Sequence, residues 1–323
     1  MTKEIFENIA ILSANIAQKI AEDEGIDNFC KTPCDLAVIS HNKRYVNKDL
    51  FGKMLFHLAE YGYFERRGEV FVLADKWRRV LPAKATSLDY LRTHGANQLY
   101  LFQEYLSKSF LEVIRNETEK INLSKLVYFL DTIDGSRSLH TLRSEAISLL
   151  EISDPPKKIL DINYGMGYSA IQLASVFPES EIYSFQLNTA LKEPFEYTIQ
   201  RYKQDNLECS INYPSEMLNN LIKEKVDLIF GFNPLGLSIP ELDRVLNISS
   251  QVSKNKTILL LYVPYTDEPR NTLISEWLGL CIEGINEYAN FDFYRAALTK
   301  FNFELTKKSL NSRYLIAYYS KTE

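Results

Sequence analysis

The sequence predicts an α/β fold in its C-terminal half, an open and mostly parallel sheet, preceded by a helical N-terminal half with one short hairpin. Three observations lead there. After Asp154-Pro155-Pro156, a break signal, short apolar runs alternate with helical segments. The first five runs, 158–162, 181–185, 209–213, 226–230 and 257–263, are spaced widely enough for crossover helices and read as parallel strands. The last two, 303–309 and 313–319, are joined by a short turn and read as an antiparallel hairpin at the sheet edge.

The N-terminal elements follow in order. Ile5, Ile9, Leu12, Ile16 and Ile20 recur at helical spacing. Thr32-Pro33-Cys34-Asp35-Leu36-Ala37 reads as a capped helix start with proline early in its first turn. The next helix carries Leu50, Met54, Leu58 and Ala59 on one face and ends near Gly62. Tyr63 to Leu73 then alternates around Arg67-Gly68 as a hairpin. Three helices and a hairpin make the order of a winged helix. From 87 to 150 the pattern is helical and aromatic, with Tyr90, Tyr100, Phe102, Tyr105, Phe110, Tyr128 and Phe129. Rings at that spacing read first as core, and second as the lining of a pocket between domains. The resulting division is 1–86, 87–150 and 151–323.

Composition narrows the classes of function. A chain of 323 residues, 46% hydrophobic and 24% charged, is long enough for two cores and is neither disordered nor fibrous. No apolar run approaches the roughly 18 residues of a membrane span, and Glu4 and Glu7 stand where a signal peptide would be basic. Four cysteines fit reduced thiols in a cytoplasmic protein. Net charge is −5 with both signs interspersed, which argues against nucleic acid and anionic membrane as partners. Residues 1–90 carry thirteen basic and thirteen acidic side chains. The segment 47–61, the recognition helix of a DNA-binding winged helix, sets Lys48 and Lys53 against Asp49 and Glu60. Arg66-Arg67 and Arg78-Arg79 do not supply the basic face that phosphate binding needs. Homodimerisation through the apolar N-terminal helix is the better use of this domain. Cys30 and Cys34 with His41 lack a fourth ligand for zinc, while Cys209 and Cys281 read as small hydrophobes.

The chemistry concentrates in one turn. The chain has twelve glycines, against roughly 23 at ordinary usage, yet two lie close together in Asp161-Ile-Asn163-Tyr-Gly165-Met-Gly167, between a buried strand and a helix start. Residues without a Cβ let backbone approach a ligand there, and the helix N-terminus aims N–H groups at it. This segment resembles the first motif of class I S-adenosylmethionine-dependent methyltransferases. More narrowly, the chain resembles small-molecule O-methyltransferases with an N-terminal winged-helix dimerisation domain. Asp161 keeps the motif's acid, Gly165 and Gly167 keep its second and third glycines, and Asn163 replaces the first. Asparagine tolerates the left-handed conformation better than other side chains, so the turn is expected to form.

The resemblance implies a Rossmann-like seven-stranded sheet with a terminal hairpin, S-adenosylmethionine as cofactor, a small-molecule substrate, and a helical segment 87–150 that roofs the pocket. It places Gln186 where the family has a ribose-binding acid, and Glu216 near the place of an adenine-side acid. Asn233 stands where these O-methyltransferases carry a histidine base. His94 and His140 in the roof, and Asp267 and Glu268 after the fifth strand, are the other candidates for a base. Asn233-Pro234 also echoes amino-group methyltransferases, but Leu235 and Gly236 replace that motif's second proline and aromatic residue. Two functions follow: a methyltransferase working without the usual histidine, or a methyltransferase-like binding or partner subunit that has lost catalysis.

Overall fold

The computed structural model describes residues 2–74, 84–116, 118–152, 154–211, 215–233, 239–263, 274–285, 287–309 and 314–320. The chain forms two compact units, Lys3–Asn122 with Pro269–Glu287, and Leu123–Glu268 with Tyr288–Glu323. The helical segment read from sequence as 87–150 thus divides between them at residue 122.

In the first unit the long helix Thr2–Asp23 buries Ile5, Ile9, Leu12 and Ile16 within the monomer. That apolar face is covered by the chain's own packing. Strand β1 (Cys34–Asp35) precedes the helix Leu36–Lys43, and Asp35 caps that helix by accepting from the Ala37 N–H at 2.7 Å. Pro33 therefore lies before a short strand and not in the helix's first turn, because residues 34–35 pair with the hairpin. The helix Lys48–Glu60 is capped by Asn47 and buries Leu50, Met54 and Leu58. Strands β2 (Phe64–Arg67) and β3 (Val70–Leu73) form the expected hairpin, turning at Gly68 with φ +63°, in the order β1-β3-β2.

The helices Lys84–Thr93 and Asn97–Arg115 follow. Tyr100, Phe102 and Phe110 are core, as the first reading of these rings expected, whereas Tyr128, in the second unit, is exposed. A late segment completes the first unit. Trp277 is buried edge-on to Phe110, and its indole N–H donates to Ser13 Oγ at 3.2 Å.

The second unit opens with the helices Val127–Asp134 and Arg137–Ser148. Its seven strands are β4 (Lys158–Asn163), β5 (Glu181–Gln186), β6 (Leu207–Ile211), β7 (Val226–Phe232), β8 (Ser253–Tyr262), β9 (Phe303–Ser309) and β10 (Tyr314–Tyr319). They are ordered β6-β5-β4-β7-β8-β10-β9. The first five are mutually parallel, while β10 runs antiparallel between β8 and β9. This is the α/β sheet that the sequence predicts. Its core joins Leu160, Ile162, Phe185, Ile229, Leu259 and Leu261 with residues of the flanking helices.

The topology locates a site before any side chain is considered. The chain builds outward from β4 through β5 to β6, then returns to the other side of β4 to build β7 and β8. The direction of winding therefore switches between β4 and β7. In open α/β sheets ligands bind at the carboxyl ends of the strands flanking such a switch. Here those ends are Asn163 and Phe232, paired across the two strands. Among the described residues no helix is long and apolar enough to cross a membrane.

Candidate ligand site at the glycine turn

Asp161 lies inside β4 and is completely buried. One carboxylate oxygen, Oδ2, accepts from Ser184 Oγ at 2.7 Å, Ser169 Oγ at 3.1 Å and Asn163 Nδ2 at 3.3 Å. The other, Oδ1, is buried and has no hydrogen-bond partner among the described residues. Burial pushes this carboxyl up to about 6, against the Ser184, Asn163 and Ser169 hydrogen bonds, which lower it. No cation is among those partners, so the three hydrogen bonds steady the carboxylate without cancelling its charge.

Asn163 shapes the turn differently from the sequence expectation. It is the last residue of β4, and of Asn163, Gly165 and Gly167 only Gly167 has a positive φ, +89°. The turn forms because the Asn163 side chain works at both ends. Its Oδ1 accepts from the Gly165 N–H at 2.6 Å, and its Nδ2 donates to Ser169 Oγ at 2.7 Å. The amide of asparagine, not its tolerance of left-handed backbone, replaces the missing glycine.

Gly165 is also needed for a reason other than ligand approach. A Cβ placed there would collide with the Asp134 carboxylate. Asp134, from the helix Val127–Asp134, accepts from the Met166 N–H at 2.7 Å. Its other oxygen pairs with Arg143 at 2.7 Å, and the same guanidinium donates to the Asp134 carbonyl at 2.9 Å and to Gln172 Oε1 at 2.9 Å. Both charged residues are buried. The fit is reciprocal, since a Cβ at Gly135 would meet the Tyr168 ring at 2.8 Å, and Tyr168 donates to Asp131 at 3.1 Å. Arg143 also lies 5.5 Å from the centroid of Phe232, at the end of β7, which stacks on Tyr262 at 4.8 Å.

Gly167 is the N-cap of the helix Tyr168–Val176 and supplies no side-chain cap, so the first-turn amides are left for another acceptor. A Cβ at Gly167 would press on Ile199 and Phe195 at 3.0 to 3.2 Å. Gln186, at the end of β5 and paired with Asn163, is completely buried. Its Nε2 donates to the Gly165 carbonyl at 2.6 Å, and its Oε1 accepts from the Asn188 N–H at 2.9 Å. Asp161, Asn163, Gly165 and Gln186 therefore share one hydrogen-bond network, and Gly167 ends the same turn as the helix N-cap.

The remaining candidates scatter. Glu216 is exposed in the first turn of the helix Ser215–Glu224. Asn233 is buried one residue beyond β7, where its N–H donates to the Tyr262 carbonyl at 3.2 Å. His140 is exposed on the helix Arg137–Ser148, and only its carbonyl joins the network, accepting from Gln172. His94 belongs to the first unit, stacked on Tyr90 at 4.0 Å with Nδ1 2.8 Å from the Tyr90 carbonyl. Asp267, Glu268, Pro234, Leu235 and Gly236 lie outside the described residues. Asp134, Arg143, Gln172 and Tyr168 were not anticipated from sequence. The available signal was an Asp and an Arg at inward positions of amphipathic helices. Among the described residues no three His, Cys, Asp or Glu side chains group as a metal site.

No family model and no curated protein matches the sequence. Solved structures do match along nearly its whole length. The CurJ carbon methyltransferase superposes with a TM-score of 0.62 at 14% identity, over 99% of this chain and 92% of that one. The CMeT domain of the citrinin polyketide synthase gives 0.64 at 12% identity, over 98% and 89%. An O-methyltransferase family 2 protein from Planctomyces limnophilus, solved in complex with apigenin, gives 0.58 at 13% identity, over 99% and 96%. At such identities the likeness is one of fold. The second unit's seven-stranded, mostly parallel sheet is Rossmann-like. The matched carbon and O-methyltransferases are what this chain is similar to in fold.

Proposed function

We propose that this chain is an S-adenosylmethionine-dependent methyltransferase acting on a small molecule. The observation that carries the reading is Asp161: a buried carboxylate with one oxygen unpartnered among the described residues, at the base of a glycine turn and beside the switch between β4 and β7. A carboxylate held without a countercharge is complementary to a ligand that brings a cation. The uncapped first turn of the helix Tyr168–Val176 is complementary to an anion. An amino-acid end presents both charges, and S-adenosylmethionine has such an end.

In this reading Asp161, Gly165 and Gly167 hold the methionine end, with Asn163 fixing the turn between them. Gln186 braces Gly165, so the ribose is met by a neutral amide already engaged in the turn. The cofactor supplies an electrophilic methyl group on a sulfonium. Asn233, at the end of β7, has no proton-accepting capacity near neutral pH, so catalysis rests on alignment of methyl and nucleophile. That suits an acceptor already ionised or intrinsically nucleophilic, such as an enolate, a thiolate, an acidic phenol or an amine. The fold shared with a carbon methyltransferase is compatible with the first of these. The first unit reads as a winged-helix-like dimerisation domain whose contact surface is other than the buried face of its first helix.

One observation favours a second reading, a ligand-binding subunit without turnover: Gln186 replaces a charged group and is taken up by the turn itself. Thermal unfolding tests the parent reading. S-adenosylhomocysteine should raise the melting temperature progressively with the logarithm of its concentration above Kd, and NAD and ATP, whose phosphates lack the cationic partner for Asp161, should not. An equal shift with NAD or ATP would reassign the site. Binding without methyl transfer to any acceptor of the classes above would select the second reading.

A further inference from the structure

The Asp134–Arg143 pair has no part in the assignment above, yet it touches the turn directly. Asp134 Oδ2 takes the Met166 N–H, the amide between the two motif glycines, at 2.7 Å. Its Oδ1 is fixed by Arg143, and Arg143 is fixed in turn by the Asp134 carbonyl and by Gln172. Gln172 is itself tied to the His140 carbonyl at 3.1 Å and Ser144 Oγ at 2.8 Å. Each polar group in this chain of contacts is oriented by the next, from the helix Arg137–Ser148 to the turn. The two glycines make the approach possible: Gly165 leaves room for the Asp134 carboxylate, and Gly135 leaves room for Tyr168.

An ion pair this deeply buried is a poor source of stability, because removing both charges from water offsets most of their attraction. What it does supply is direction. A carboxylate pinned by a planar guanidinium can hold one backbone amide in one orientation. The other side chains that bond the turn's backbone among the described residues are the neutral amides of Asn163 and Gln186. We infer that Asp134 is a positioning residue, set by Arg143, that fixes the glycine turn in its ligand-binding shape. The inference rests on the cofactor reading above and extends it to a helix outside the motif.

The test pairs two readouts on the full chain, the affinity for S-adenosylhomocysteine by calorimetry and hydrogen exchange of the Met166 amide by NMR. Asp134→Ala removes the acceptor, and should weaken binding about ten-fold and speed Met166 exchange by a similar factor. Asp134→Asn keeps an acceptor without the ion pair, and should recover part of both losses. A merely structural role would lower the melting temperature but leave the affinity of the folded variant unchanged. Wild-type affinity in Asp134→Ala therefore overturns the positioning role while leaving the cofactor reading intact. A wild-type chain that does not bind overturns both. If the alanine variant does not fold, Asp134→Asn decides: affinity and exchange both equal to wild type overturn the inference.

Discussion

Gly165→Val should abolish binding of S-adenosylhomocysteine and destabilise the second unit. The reason is internal to the protein. The first added carbon collides with the Asp134 carboxylate, which is held from behind by Arg143 and so has little room to retreat. If Asp134 is displaced, the Met166 N–H loses its acceptor and Arg143 becomes a buried charge without its partner. Overpacking and an uncompensated charge together are worth on the order of 3 kcal/mol or more. Urea unfolding measures that loss, and calorimetry at temperatures where the variant remains folded measures the binding. Gly165→Ala should show the same defects in milder form, since its single carbon meets the same carboxylate. Undiminished affinity in the valine variant would mean that the ligand does not use this turn.

Asp161→Asn should do the opposite to stability while still harming binding. Burial raises the Asp161 carboxyl to about 6 from an ordinary value near 4. A folded-state value above the unfolded one means that the folded protein binds the proton more tightly. The associated stability is fully present below about pH 4 and is lost as pH rises through about 6. Above that range the ionised carboxylate costs the fold about 3 kcal/mol, the equivalent of a difference of about two pH units. Asparagine has no such titration and retains an oxygen for Ser184 and Ser169. The variant should therefore be more stable than wild type at pH 8, with the advantage shrinking towards pH 4.

Binding should reverse the ranking. The wild-type carboxylate supplies the charge that complements the ligand's ammonium group. Affinity for S-adenosylhomocysteine should therefore fall between pH 7 and pH 5 in wild type, and be low and flat in Asp161→Asn. Methylthioadenosine, which lacks the amino-acid end, should show neither trend. A melting temperature difference independent of pH would place the destabilisation elsewhere than in the Asp161 charge.

The sheet was legible because its strands are apolar runs set off by helical segments, and period and spacing suffice to find them and to tell the parallel strands from the terminal hairpin. The errors fall where that signal fades. Strand β8 begins at Ser253, four residues before the predicted start, because Ser-Lys-Asn-Lys carries no apolar pattern. The two-residue β1 at Cys34–Asp35 exists only through pairing with Phe71 and Val70, a partnership no local pattern announces. In the site, Asp161, Asn163, Gly165 and Gly167 were legible because seven consecutive residues contain them. Gln186 was singled out only through the family resemblance, and the structure pairs it with Asn163.

Asp134 and Arg143 were not, for a physical reason. They belong to helices before the sheet, and Asp134 meets an amide 32 residues further along the chain. A contact of that separation is produced by tertiary packing, which short motifs do not encode. The same distance hides the second role of Gly165 from the sequence. A glycine in such a turn suggests an approaching ligand, whereas its nearest neighbour is another part of the same chain.

Titration calorimetry of the wild-type chain with S-adenosylmethionine and S-adenosylhomocysteine at pH 7.5 tests the central claim most directly. Saturable binding at one site per chain, weakened in Asp161→Asn and absent in Gly165→Val, is the predicted result. No detectable heat with either ligand at millimolar concentration, from a protein shown to be folded, would contradict it.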